Sequence, residues 1–209
     1  GAADALPSTI EMVNDDPDAN DQYAPALAVD GMGQRFVVWA DDNGAGYGTI
    51  MFRTRSAQGD WSIPEIVYSE RGSGVDLTID ASGRPIAAWV NADYLGQHYI
   101  YAGQRSASGW WNNNTVEWIS GAQQTAPAIA VDAAGNAYIV WQDGRNDSGD
   151  IRFAYQPADG GWQDHQMIND DSGANWQGTP DLAVDAEGTL YAVWADARNG
   201  EGEGDNDIY

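Results

Sequence analysis

Apolar and polar residues alternate along much of the chain with a period of two, and one version of that alternation returns four times. Residues 25–39 read PALAVDGMGQRFVVW, 75–89 read VDLTIDASGRPIAAW, 127–141 read PAIAVDAAGNAYIVW and 180–194 read PDLAVDAEGTLYAVW. A period of two puts successive side chains on opposite faces of a strand. In each segment the first run ends at Asp, and Gly follows three residues later. Asp-x-x-Gly between two alternating runs predicts a tight hairpin, because Gly accepts the positive φ such a turn requires. Each unit thus predicts a strand a up to the Asp and a strand b up to the Trp. A polar loop leads to a strand c over 49–54, 99–103 and 150–155. A Gly-rich turn leads to a strand d opened by Trp61, by Trp110 or Trp111, and by Trp162.

The marker residues Asp30, Asp80, Asp132 and Asp185 are separated by 50, 52 and 53 positions. Four short strands in a repeat of this length predict the blade of a β-propeller. The last repeat stops inside its strand c, at Asp207-Ile208-Tyr209, while residues 14–25 align without a gap with 169–180. Residues 9–13 therefore read as a strand d without its own a, b and c. The expected fold is all-β: a four-bladed propeller of four-stranded antiparallel blades, the last blade closed by the N-terminal strand. Residues 1–209 then form one domain, with repeats at 25–74, 75–126, 127–179, and 180–209 completed by 1–24. The same complementarity has a second solution, in which the d strand of one molecule fills the open sheet edge of the next.

Composition narrows the partners. The chain carries 32 acidic residues against 9 basic ones, for a net charge of −23. Nucleic acid and anionic membranes would be repelled. No apolar run approaches the roughly 18 residues that span a bilayer. A hydrophobic fraction of 43% with ten Trp is ample for a packed core. The chain has no Cys, which excludes disulfides and thiolate metal sites. His98 and His165 are too few for a His-rich zinc centre, and each reads as a surface residue. All basic residues are Arg. A dense carboxylate surface without Lys fits salt-rich surroundings or simply GC-rich codon usage, and both readings stand.

Two stretches carry a resemblance. Trp141-Gln142-Asp143-Gly144-Arg145-Asn146…Asp150-Ile151 and Trp194-Ala195-Asp196-Ala197-Arg198-Asn199…Asp207-Ile208-Tyr209 resemble the W-x-D-x-R-N…D-I-Y repeats of bacterial and archaeal cell-surface β-propellers. The full motif occurs in two of the four units; the others read Trp39-Ala40-Asp41-Asp42-Asn43 and Trp89-Val90-Asn91-Ala92-Asp93. The resemblance implies an extracellular or cell-surface setting and a binding or scaffolding role. More distantly the chain is similar to sialidase-like propellers, although no unit has their Ser-x-Asp-x-Gly-x-x-Trp spacing.

Candidate chemistry sits in the loops. Arg145 is expected to bridge Asp143 and Asp150, and Arg198 to bridge Asp196 and Asp207, each as an internal latch. The competing reading is calcium, whose six to eight oxygens such loops would offer. The loops between strands d and a are better cation candidates. Asn14, Asp15, Asp16 and Asp18 cluster in one, and Asn169, Asp170 and Asp171 in another; Asp147 would add a ligand beside a latch. Recurrent Trp residues are expected in the core. Trp118 and Trp176 do not recur, and with Tyr23, Tyr47 and Tyr94 they are candidates for stacking on sugars or anchoring a partner. Asn113 and Asn146 head glycosylation sequons. The leading expectation is a non-catalytic adhesion or self-assembling module at the cell surface, stabilised by Ca²⁺, whose partners are protein, glycan or copies of itself. The alternatives are a glycan-binding lectin and a sialidase-like glycoside-active enzyme, the latter requiring an arginine cluster beside an acid pair in the central channel.

Overall fold

The computed structural model describes residues 10–14, 20–42, 48–109, 111–117, 119–146, 149–171, 173, 175–200 and 206–209. Asp15, Asp16, Asp18, Tyr47, Trp118 and Asp147 lie outside them. Every regular element among the described residues is a strand. The first repeat contributes β1 (Gln22–Val29), β2 (Arg35–Asp42), β3 (Gly48–Arg55) and the first half of β4 (Glu65–Ile79). The second half of β4 opens the second repeat, followed by β5 (Pro85–Ala92), β6 (His98–Arg105) and β7 (Trp111–Glu117). The third repeat holds β8 (Gln124–Val131), β9 (Ala137–Asp143), β10 (Asp150–Gln156) and β11 (Gln166–Met167). The fourth holds β12 (Gln177–Val184), β13 (Leu190–Asp196) and β14 (Asp207–Ile208). Within each sheet, strands pair antiparallel with their neighbours in the chain. The sheets have seven, four and three strands, because β4 runs unbroken from one repeat into the next.

The hairpins between the first two strands of each repeat form as the Asp-x-x-Gly spacing predicts. In all four, the Asp Oδ1 accepts the amide hydrogens two and four residues ahead, as Asp132 does from Ala134 and Asn136 at 2.9 Å. The Gly three residues on has φ between 78° and 87°. Trp61 and Trp162 lie ahead of the fourth strands instead of opening them; Trp61 makes an isolated bridge to Arg55.

Burial follows the contacts between successive repeats. Phe36, Val38 and Phe52 pack against Leu77, Ala87 and Trp89. Ile86, Val90 and Ile100 pack against Ile129, Ile139 and Trp141, and Ala128, Val140 and Ile151 meet Leu182, Ala192 and Trp194. β5 is buried at every position because a neighbouring repeat covers each of its faces. The repeated Trp of strand b is buried in the first three repeats.

The two ends of this arc differ from the expected closure. Residues 10–14 form no strand, and among the described residues nothing pairs with the outer edge of β14. The N-terminal segment lies instead along the first repeat. Arg53 donates to the Val13 carbonyl at 2.5 Å, and Arg55 pairs with Glu11 at 2.5 Å. These charge-assisted contacts hold the segment against β3. Leu27 and Val29 on β1 are exposed, as are Tyr191 and Val193 on β13.

Candidate functional site

The inner strands set the site. β4 packs beside both β1 and β8, and β8 packs beside β12, so β1, the second half of β4, β8 and β12 line one axis. Each carries the same bulge. Ala24, Gly74, Ala126 and Thr179 have φ of 48–49°, and the pairing register shifts at each. A bulge re-aims the side chains that follow it. Two residues beyond stand Ala26, Asp76, Ala128 and Asp181. The column is thus Ala in two repeats and Asp in the other two.

Asp76 and Asp181 differ in their surroundings. Asp76 is half-buried, and its Oδ2 accepts the Ile129 amide hydrogen at 2.8 Å. β8 is the edge strand of its sheet, so an amide on its unpaired side faces the axis, and that is where Asp76 reaches. Burial pushes the Asp76 carboxyl above its ordinary value; the Ile129 and Leu77 amides pull it down, and the charge of Asp181 pushes it up again. The net shift is upward. Asp181 is exposed and accepts the Leu182 amide at 2.8 Å. A carboxyl whose proton affinity is raised, beside one that is solvated, is the arrangement by which one acid donates a proton while the other acts as base or nucleophile. Neither residue is among those singled out from the sequence. The signal was present in the repeat alignment, as two acids in an otherwise alanine column on an inner strand.

A second set of polar groups gathers where the inner strands begin. Gln124 Nε2 donates to Glu117 Oε2 and to Asp143 Oδ2, both at 3.1 Å, while its Oε1 accepts the Ile100 amide at 3.0 Å. Gln177 occupies the same place between Asn169 and Asp196, and Gln22 between Asn14 and Asp41. All the members from the third and fourth repeats are buried. These amides tie the end of one repeat to two strands of the next.

The latches form with different partners. Arg145 holds Asp143 through Nε at 2.7 Å and Nη2 at 2.5 Å, and its second carboxylate is Glu117 at 2.7 Å, from the preceding repeat. Arg198 holds Asp196 at 2.6–2.9 Å, reaches Asp170 at 2.5 Å and lies 4.2 Å from the ring centroid of Tyr209. Asp150 and Asp207 are served by Asn146 and Asn199, each at 3.1 Å. One Arg thus ties two repeats together and does not staple a single loop. His165, expected at the surface, lies inside this network, with Nδ1 2.8 Å from Glu117 and Nε2 3.0 Å from Arg145.

The cation candidates diverge. Asn169 binds Asp150 and Gln177, Asp170 binds Arg198, and Asp171 accepts from Gly173, Asn175 and Gln177. Asn14 donates to Gln22. No three acidic or His side chains converge to hold a metal among the described residues. Trp176 is half-buried, with its ring over Gly178, and Tyr23 packs against the core. Tyr94 is 90% exposed beside Arg71. The amide nitrogens of Asn113 and Asn146, where a glycan would attach, donate to the Val67 carbonyl and to Asp150.

No family model matches the chain, and no curated protein does. Among solved structures it is similar to a xylan β-1,4-xylosidase from Bacillus halodurans C-125, with a TM-score of 0.57 and 16% identity over 91% of this chain and 40% of that one. It is similar to an endo-arabinase from Bacteroides thetaiotaomicron, with a TM-score of 0.56 and 17% identity over 90% of this chain and 73% of that one. A GH93 α-L-arabinofuranosidase of Fusarium graminearum gives a TM-score of 0.63 and 10% identity over 90% of this chain and 60% of that one. These likenesses show the fold, an all-β propeller arrangement shared with glycoside hydrolases. They overturn the expectation of a non-catalytic module for adhesion or self-assembly. Of the loop carboxylates expected to meet cations, Asp170 is paired with Arg198 of its own chain.

Proposed function

We propose that this chain is a glycan-active propeller that cleaves a glycosidic bond in a neutral, pentose-containing polysaccharide, with Asp76 as general acid and Asp181 as base or nucleophile. The observation that carries the reading is the acid pair on the inner strands, one member raised by burial and by the charge of the other. The fold neighbours, a xylosidase, an arabinase and an arabinofuranosidase, support the same chemistry and the substrate class. A substrate too large to cross a membrane fits an extracellular setting. We also infer a four-bladed ring in which residues 10–14 complete the fourth blade. Its support is that Asn14–Gln22–Asp41 repeats the pattern of Asn169–Gln177–Asp196.

The test is release of reducing sugar from debranched arabinan and from xylan. Asp76→Asn keeps an oxygen to accept the Ile129 amide and removes the acid. Its turnover is expected to fall at least about 100-fold, the scale of a lost general acid. The wild-type profile should be bell-shaped, falling on the alkaline side as Asp76 ionises above its raised value. No hydrolysis of either polymer, or equal rates in the variant, would sink the reading.

A further inference from the structure

Away from the axis, a cavity of 170 Å³ opens between the second and third repeats. A water molecule takes about 30 Å³, so this is the space of about six waters, the scale of one sugar ring. Its polar lining consists of Gln104, Asn112, Asn114 and Gln156, with the ring of Trp162 beside them. No ionisable side chain lines it, although 20% of the chain is charged. The amides are held in place: Gln104 Nε2 donates to Asp80 at 3.2 Å and Gln156 Nε2 to the Gly160 carbonyl at 2.8 Å. That leaves their carbonyl oxygens as acceptors. Gly103 and Gly135 add backbone to its walls.

The neutral lining is not a by-product of the repeat. The matching cavity between the first and second repeats is lined by Arg84 and Arg105. An uncharged cleft rich in amides disfavours an ionic ligand, which would be desolvated without a counter-charge. It suits a polyhydroxylated one, because each amide both donates and accepts and an aromatic face covers the apolar side of a sugar ring.

We infer that this cleft is a second glycan-binding site, separate from the Asp76–Asp181 pair, that holds one neutral sugar residue of a polysaccharide by the amides of Gln104, Asn112, Asn114 and Gln156 and the ring of Trp162. It stands on the cleft's own lining and would hold whether or not the axis is catalytic. Bound sugar would cover Trp162 and change its fluorescence.

The experiment titrates the Asp76→Asn/Asp181→Asn protein, which cannot consume the probe, with arabinohexaose and with xylohexaose, following Trp fluorescence and backbone amide shifts. Binding of at least one is expected, with shifts at Gln104, Asn114 and Gln156. Added Asn114→Ala or Asn112→Ala should weaken binding at least tenfold; both side chains are exposed, so the fold is kept. Trp162→Ala should abolish the fluorescence change, and its folding is checked separately because Trp162 packs on the core. No binding of either oligosaccharide at millimolar concentration, or binding insensitive to Asn112 and Asn114, would overturn the inference. Binding at the cleft without hydrolysis by the wild type would instead count against the catalytic reading alone.

Discussion

At the scale of single residues, the network around His165 makes a prediction whose sign is fixed by its hydrogen bonds. Arg145 has only N–H donors, so the imidazole Nε2 facing it must be unprotonated, and Nδ1–H donates to Glu117. The groups around the ring are Glu117 on β7, Arg145 in the loop after β9, Asp143 and Trp141 on β9, and Arg152 on β10. Burial is the chief cause that lowers the His165 value; Glu117 opposes it, and Arg145 and Arg152 add to it. In the unfolded chain His titrates near 6.5. As pH falls below that value the unfolded state takes up a proton that the folded state still refuses, so stability is lost until the lower folded value is passed. Thermal midpoints from pH 8 to 4 should therefore decline on this limb, and His165→Gln should flatten it. His98 is also lowered by burial, so the comparison is the difference between the two curves. A difference curve that is level through this range would show that the ring is not held neutral. Asp143 behaves oppositely in origin but alike in sign. Burial raises it, the hydrogen bonds and charge of Arg145 outweigh that, and its contribution disappears only as pH falls through its depressed value.

At the scale of elements, the bulge on each inner strand is the most regular departure from ideal geometry, and Thr179 shows what it costs. A β-branched residue at φ 48° is strained, whereas Gly74 occupies the same place in the second repeat. The left-handed region costs a non-glycine residue about 1–2 kcal/mol, against about 0.5–1 kcal/mol of extra chain entropy for Gly. Thr179→Gly should therefore stabilise by up to about 1 kcal/mol, read as a higher denaturation midpoint with an unchanged slope. A lower midpoint would mean that the Thr179 side chain contributes more than its strain. The bulge also explains what could be read in advance. Alternation and Asp-x-x-Gly gave the strands and hairpins, because both are local rules. The bulges were not legible, since Ala, Gly, Ala and Thr share no signature of positive φ. Without the bulge, the aim of Asp76 and Asp181 could not be known, and they passed as two acids among 32. The latches were half legible. Arg145 and Asp143 are two residues apart, but Glu117 lies 28 positions away on another repeat, and only folding brings it there.

At the scale of the whole molecule, the decisive matter is how the fourth repeat meets the first. Asp76 on β4 caps the Ile129 amide of the following repeat. In the alignment of the repeats, Asp181 takes the place of Asp76 and Leu27 the place of Ile129. A ring of four repeats would put the Asp181 carboxylate on the Leu27 amide, and it would cover Leu27, Val29, Tyr191 and Val193, whose exposed apolar surface is otherwise left facing water. Each of those side chains is worth about 1.5–3 kcal/mol when fully buried, so closure has a large driving force to offset the ordering of the chain ends. Amide hydrogen exchange reads the outcome at one atom. In a closed ring the Leu27 amide should exchange as slowly as that of Ile129, and Asp181→Ala should speed Leu27 without altering Ile129. Asp76→Ala should do the reverse. Leu27 exchanging at the rate of an exposed strand edge, indifferent to Asp181, would mean that the arc stays open and that the acid pair works in a cleft with one wall missing. Closure and catalysis are thereby coupled through one residue. Asp181 cannot be both fully committed to the Leu27 amide and freely solvated, and in a closed ring the exchange rate at Leu27 in the presence of a bound oligosaccharide should rise as the carboxylate turns toward the sugar.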